Sequence, residues 1–319
     1  MPAGVHAHGV RPEPSAQADI TFPVPRIHFN RPGSDAAQRR ITLSTDLARA
    51  SARAYNARPG GRRIRPGSSS HPCVPAPDVP TSMSEREALV LSWSGGKDSA
   101  LALARLREQD GVRVVGLMTT VTEGYDRVSI HGVRRALLHA QAAAVGLPLH
   151  EVALQPQSSN EAYERATADA LARVRQALPD VHRLAFGDIF LQDVRQYREH
   201  LVGGLGFGAV FPLWGEAPAD LAGEVMQRGI RARLVCVDTQ QLDASFAGRT
   251  YDAALLADLP PGTDPCGERG EFHTFVSDGP AFRVPVPYEA GEVVLRDGRF
   301  AYCDLLPVNP SPRTLPSSR

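Results

Sequence analysis

The stretch Leu91-Ser92-Trp93-Ser94-Gly95-Gly96-Lys97-Asp98-Ser99-Ala100, LSWSGGKDSA, holds the single lysine of a 319-residue chain whose Lys and Arg total 35. Before it, Ala88 to Trp93 is a short apolar run that breaks at Ser94-Gly95-Gly96, the pattern of a buried strand ending in a tight turn. After it, Ser99 to Arg107 puts Ala100, Leu103, Ala104 and Arg107 on one helical face. Strand, glycine turn and helix follow one another without a gap.

Outward from this unit the alternation repeats. Val112 to Met118 reads as a second strand, and Val133, Ala136, Leu137, Ala140 and Ala144 mark a second helix stopped by Gly146 and Pro148. Leu149 to Leu154 is a third strand. Ala162, Ala166, Ala170, Leu171 and Val174 form a third helical stripe, and His182 to Phe186 is a fourth strand ending at Gly187-Asp188. Such short connections imply βαβ units, hence an α/β fold with a parallel sheet covered by helices on both faces. Ligands in such sheets lie beyond the carboxyl ends of the strands, which is where residues 94–99 fall.

Past residue 200 the pattern loosens. Leu221 to Arg228 and Tyr251 to Leu259 read as helices; Ala232 to Val237, Glu271 to Val276, Val293 to Arg296 and Phe300 to Leu306 read as strands. The expected organisation is a parallel α/β domain over 83–200, a smaller mixed α+β lobe over 201–306 and a flexible tail over 307–319. Residues 1–82 carry 12 of the 27 prolines and 11 arginines against five acidic residues, and show no sustained period. They read as a disordered extension. Met83, which runs straight into the first strand, reads as the natural start; a basic tail or a transit peptide are the competing accounts.

Formal charge is zero, so nothing global points to nucleic acid or an anionic membrane. No apolar run reaches the ~18 residues of a membrane span. Cys73, Cys236, Cys266 and Cys303 are far apart, with no CxxC, which fits a reducing compartment and a cytoplasmic location.

The turn has the chemistry of a phosphate cradle. Gly95 and Gly96 let main chain approach a ligand with no Cβ in the way. The helix that follows offers unpaired N–H groups and the positive end of its dipole. Ser94 and Ser99 add hydroxyl donors, and Lys97 adds a compact ammonium. The spacing is neither GxxxxGK[ST] nor GxGxxG. A plain chain-reversing turn accounts for the glycines but not for the lone lysine beside them.

SGGKDS resembles the pyrophosphate loop of the N-type ATP pyrophosphatases. Further on, FGDIFLQDVRQYREH (186–200), FPLWG (211–215) and DPCGERGEFHTFVSDGPAF (264–282) resemble the diphthine–ammonia ligase family, over roughly residues 88–306. The resemblance implies a HUP-type α/β domain followed by a family-specific lobe, with ATP and Mg²⁺ as cofactors. It implies a ligase: ATP adenylates the carboxylate of diphthine, on a histidine of translation elongation factor 2, and ammonia displaces AMP. By the same resemblance, main chain at Gly95 and Gly96 with Ser94 and Ser99 holds the terminal phosphates. Lys97 then offsets their charge, Asp98 helps to place Mg²⁺, and Met118 and Thr119 lie where adenine is read. The arginine and alanine bias suits a GC-rich bacterial genome, where diphthamide is not expected. The acceptor is therefore taken as a carboxylate, small or protein-borne, that need not be diphthine.

Other residues add detail. Asp188 is either an N-cap for the helix at 193–200 or a catalytic carboxylate beside the nucleotide. Arg195 and Glu199, four apart, are a helix pair or a substrate-positioning pair. Asp264, Glu268, Glu271 and His273 crowd acid and imidazole into ten residues, with Gly267 and Gly270 allowing a tight loop. A strand from Glu271 puts Glu271 and His273 on one face, suited to deprotonating ammonium or binding substrate. His131 is a helix-start residue or part of a loop over ATP; Cys266, with no cysteine near it, reads as incidental; Trp93 and Trp214 read as packing. Sulfur transfer and a non-catalytic ATP sensor are the rival functions, and a homo-oligomer is compatible with all three.

Overall fold

A computed structural model describes residues 86–128 and 131–308. The expected disordered extension, Met83 as the start, and the tail beyond 308 lie outside the described residues.

The first sheet contains β1 (Glu87–Ser92), β2 (Val112–Thr122), β3 (Arg127–Val128), β4 (Leu149–Leu154), β5 (Arg183–Ala185) and β6 (Gly208–Val210). β1 pairs in parallel with β2 from Val112 to Met118, while β4 pairs in parallel with Leu117 to Thr122. Leu117 and Met118 are matched by both, so β1 and β4 lie on opposite edges of β2. β3 runs antiparallel to Val121 and Thr122, where β4 already holds one edge, so it continues the edge that β1 vacates. With β1–β5 and β5–β6 also parallel, the order is β4-β2-β1-β5-β6. Successive connections leave β1 first to one side and then to the other. The crevice of a doubly wound sheet therefore opens at the carboxyl ends of β1 and β5.

Helices α1 (Lys97–Glu108) and α2 (Arg135–Val145) cover one face, α3 (Asn160–Ala177) and α4 (Gln192–Gly204) the other. Successive side chains of a strand point to opposite faces. Leu89, Leu91 and Trp93 accordingly pack with Leu101, Leu103, Leu137 and Leu138, whereas Ala88, Val90 and Met118 pack with Ala170, Leu171, Val174 and Val202. Burial on both faces is why these strands read as unbroken apolar runs. The boundary expected at residue 200 falls inside α4, and the first sheet takes in residues as far as Val210.

After α5 (Pro218–Gln227) come β7 (Arg231–Asp238), α6 (Ala253–Asp258), β8 (Phe272–Asp278), β9 (Tyr288–Arg296) and β10 (Phe300–Pro307). The four strands form an antiparallel sheet ordered β8-β7-β10-β9. Its Leu234, Phe272, Phe275 and Val276 share one core with α1 and α2. The start of β8 thereby lies against the glycine turn. Among the described residues no helix is long and apolar enough to cross a membrane.

Candidate active site

Turn 94–99 is held from both sides. Gly95 sits at φ 79°, and a Cβ there would come within 2.7 Å of both Gln141 Oε1 and a Leu138 methyl. Gln141, buried on α2, accepts the Trp93 indole N–H at 3.0 Å and donates to the carbonyls of Gly95 (2.9 Å) and Val276 (2.6 Å). The Val276 N–H returns to the Gly95 carbonyl at 2.9 Å. Gly95 is thus a structural joint between β1 and β8, and lies outside the cavity lining.

A helix leaves its first four N–H groups outside its own ladder. Here the Gly96 N–H donates to Ser94 Oγ at 3.2 Å and the Lys97 N–H to Thr274 Oγ1 at 3.0 Å. The N–H groups of Asp98 and Ser99 remain outside the ladder, on residues that line a cavity. Gly187 closes in beside them: a Cβ there would stand 3.2 Å from Ser99 N.

The cavity, about 240 Å³, opens where β1 and β5 part, and joins Ser94, Asp98, Ser99, Asp188 and Arg198 to Glu268, His131 and His273. Its floor is Lys97, only 1% exposed. The ammonium donates to both Asp98 oxygens, at 3.0 and 2.9 Å, and to the Cys266 carbonyl, between the rings of Tyr251 and Phe272 with each centroid 5.5 Å away. Burial disfavours the charged amine, but the adjacent Asp98 carboxylate holds its pKa above the usual lysine value. Burial pushes the Asp98 carboxyl up and Lys97 opposes it; the two-oxygen geometry is that of an ion pair. Asp188 accepts from Arg198 at 2.7 and 3.4 Å. His131 and His273 stack at 4.4 Å between centroids. Burial pulls His131 down to about 4 and His273 well below the ordinary histidine range, so both are neutral at pH 7. Glu268 accepts the Ile189 N–H at 2.8 Å, and burial pushes its carboxyl up to about 7.

Several expected site residues sit elsewhere. Glu271 is buried, not facing the cavity: its oxygens accept the N–H groups of Asp264 and Arg269 and close the turn. β8 begins one residue later, at Phe272, so the partner of His273 is His131, not Glu271. Asp264, also buried, accepts from the N–H groups of Cys266 and Glu268, which makes it a turn former. Met118 belongs to the core on the α3 face, and Thr119 is buried with its hydroxyl unpaired; neither lines the cavity. Arg195 and Glu199 form a surface pair at 2.8 Å, with the Arg195 guanidinium 4.7 Å from the Trp214 ring. Sequence reasoning missed Arg198, Thr274 and Gln141. Arg198 lay inside a quoted motif, but its ion pair with Asp188 spans a loop and a helix and has no local periodicity.

The residues that line the cavity fit a triphosphate: Asp98 and Ser99 carry helix-start amides outside the ladder, Ser94 and Ser99 carry hydroxyls, and Gly96 and Gly187 bring main chain in without a Cβ. Among the described residues no group of three His, Cys, Asp or Glu is placed to hold a metal ion. Mg²⁺ would therefore enter with the phosphates, next to Asp98, whose side chain is 27% exposed.

Residues 87–208 match the diphthamide synthase N-terminal domain family and residues 217–297 the diphthamide synthase C-terminal domain family. Among curated relatives, the diphthine–ammonia ligase of Homo sapiens is 28% identical over 229 residues, covering 63% of this chain and 83% of that protein. The diphthine–ammonia ligase of Bos taurus is 28% identical over 228 residues, covering 63% and 82%. That of Schizosaccharomyces pombe is 25% identical over 227 residues, covering 63% of this chain and 36% of the longer yeast protein.

Proposed function

The chain belongs to the diphthamide synthase family, and from that premise we propose that it is an ATP-dependent ligase that joins ammonia to a carboxylate. A carboxylate is a poor acyl donor because its leaving group would be oxide. ATP supplies the remedy by converting that oxide into AMP, with pyrophosphate released. The protein's part is alignment and charge. The Asp98 and Ser99 amides with Ser94 and Ser99 would hold the phosphates at the start of α1, and Asp98 would receive the accompanying Mg²⁺. The loop bearing Glu268 and the stacked imidazoles would receive the acceptor and ammonia. The observation that supports this best is that both sets line a single cavity although residues 94–99 follow β1 of the first sheet while Glu268 and His273 come from the loop before β8 and from β8 of the second.

The test is to incubate the full chain with ATP, Mg²⁺ and ammonium, with diphthine-bearing elongation factor 2 in one arm and a pool of small carboxylic acids in the other. AMP should form only when an acceptor is present, one for each amide found by mass spectrometry. ATP binding without AMP in either arm would overturn the ligase and favour a sensor. Sulfur transfer is disfavoured by Cys266: its thiol is 2% exposed, donates to the Pro218 carbonyl at 3.3 Å, and is pushed up by burial to about 12, so no thiolate is available near neutrality.

A further inference from the structure

Charges around the cavity cancel in pairs, with one exception. Lys97 is matched by Asp98, and Arg198 by Asp188. His131 and His273 are neutral, so they neither repel a cation nor attract an anion. Glu268 alone among the lining carboxyls has no cationic partner within the described residues. Its Oε1 is fixed by the Ile189 N–H, and the Glu268 N–H is fixed by Asp264 Oδ2 at 3.0 Å, so the side chain is held from both ends with Oε2 free for a ligand. An unmatched, anchored carboxylate on the wall of an otherwise neutralised cavity is a seat for a small cation.

Resting on the ligase reading, we propose that Glu268 binds the ammonium co-substrate and is the general base that converts it to ammonia. Ammonium has no lone pair and cannot attack. Glu268 Oε2 takes one proton from it, leaving neutral ammonia with its electron pair. That pair forms the C–N bond at the acyl carbon of the adenylated acceptor, and the C–O bond to phosphate breaks with its electrons leaving on AMP. The second proton, on the new nitrogen, passes to the departing phosphate. A base works best when its pKa lies near the working pH, and the carboxyl here is pushed up to about 7. Burial leads that shift. Asp98 from the phosphate turn and Asp188 from the end of β5 add to it, Lys97 opposes it, and Arg198 stands behind Asp188.

The test uses the full-length Glu268→Gln variant, ATP, Mg²⁺ and whichever acceptor supports turnover in the wild type. It compares ammonium with hydroxylamine, a nucleophile already neutral near pH 7. Amide formation from ammonium should fall by about 100-fold or more, and far more than either pyrophosphate release or hydroxamate formation. The wild-type rate with ammonium should rise with pH to an inflection near 7, and the variant should lose that inflection. Equal loss with both nucleophiles, or loss of pyrophosphate release with a raised Mg²⁺ requirement, would assign Glu268 to the ATP step and overturn the proposal. So would an undiminished rate with ammonium. Wild-type protein that yields no AMP with either nucleophile refutes the ligase reading itself, and this base with it.

Discussion

Replacing Lys97 by methionine tests what the solitary lysine does. The substitution keeps most of the stem and removes the ammonium from a site 1% exposed. Three things follow. Asp98 loses a partner bonded through both oxygens, the Cys266 carbonyl loses its donor, and the rings of Tyr251 and Phe272 lose a cation 5.5 Å from each centroid. Breaking a buried pair by deleting one partner costs about 3–5 kcal/mol. Asp98 is 27% exposed and can partly rehydrate, which favours the lower half of that range. At ~2–4 °C per kcal/mol for a folded region of this size, the midpoint should fall by about 6–16 °C. Lys97→Arg keeps the charge but forces a planar fork into a closed space, at a cost of ~1–3 kcal/mol of overpacking instead. Denaturant unfolding followed by Trp93 fluorescence is the assay, because Trp93 bonds to Gln141 beside the turn. A double-mutant cycle with Asp98→Asn should give a coupling of about 1–3 kcal/mol. A Lys97→Met protein within ~1 kcal/mol of the wild type would refute the reasoning, since that is the value of an exposed pair.

Gln141→Leu removes the group that joins Trp93, Gly95 and Val276, leaving buried polar atoms unpaired at about 1–3 kcal/mol each. A loss of at least ~3 kcal/mol is expected, with unchanged stability counting against the joint. Acid should also weaken the fold through His131, whose pKa burial pulls down to about 4 in the folded chain from the ordinary 6.5. The unfolded chain then binds the extra proton, so this contribution is complete above 6.5 and lost as pH falls towards 4, by up to about 3 kcal/mol. Glu268, raised to about 7, acts in the opposite sense over 4.5 to 7. The His131 part is therefore read as the difference between wild type and His131→Phe in unfolding experiments across that range, and no difference would refute it.

The centre of the first sheet was legible because β1 and the middle of β2 are buried on both faces. β4 spans the expected Leu149–Leu154, although only Val152 and Leu154 are buried, and α1 starts at the glycine turn. β3 and β6 were not legible: two and three residues are too few to show a period, and β6 exists because β5 offers it an edge. The acid-imidazole cluster was legible in composition but not in roles. Alternation placed Glu271 beside His273 only if the strand began at Glu271. The local turn takes that carboxylate first, because two backbone N–H groups need it. The His131–His273 stack joins segments far apart in sequence, and no local rule reaches that distance.

The lysine itself shows how a residue can be singled out for a sound reason while its partners in the fold stay hidden in the sequence. Sequence reasoning inferred that only a compact ammonium fits beside Gly96, and placed it on the phosphates. In the structure that ammonium is enclosed by Asp98, the Cys266 carbonyl and two rings of the second sheet's lobe. Arginine would be excluded by the same enclosure, so compactness is explained without a phosphate contact. On the proposed reading the anion-holding work would fall on the amides of Asp98 and Ser99, whose partial charges need no counter-ion. The lysine instead fastens the start of α1 to the loop that carries Glu268. The hydrogen bond from its ammonium to the Cys266 carbonyl thereby ties the start of α1 to the wall that bears the Glu268 carboxylate, and a change at Lys97 should alter that spacing as well as remove a charge.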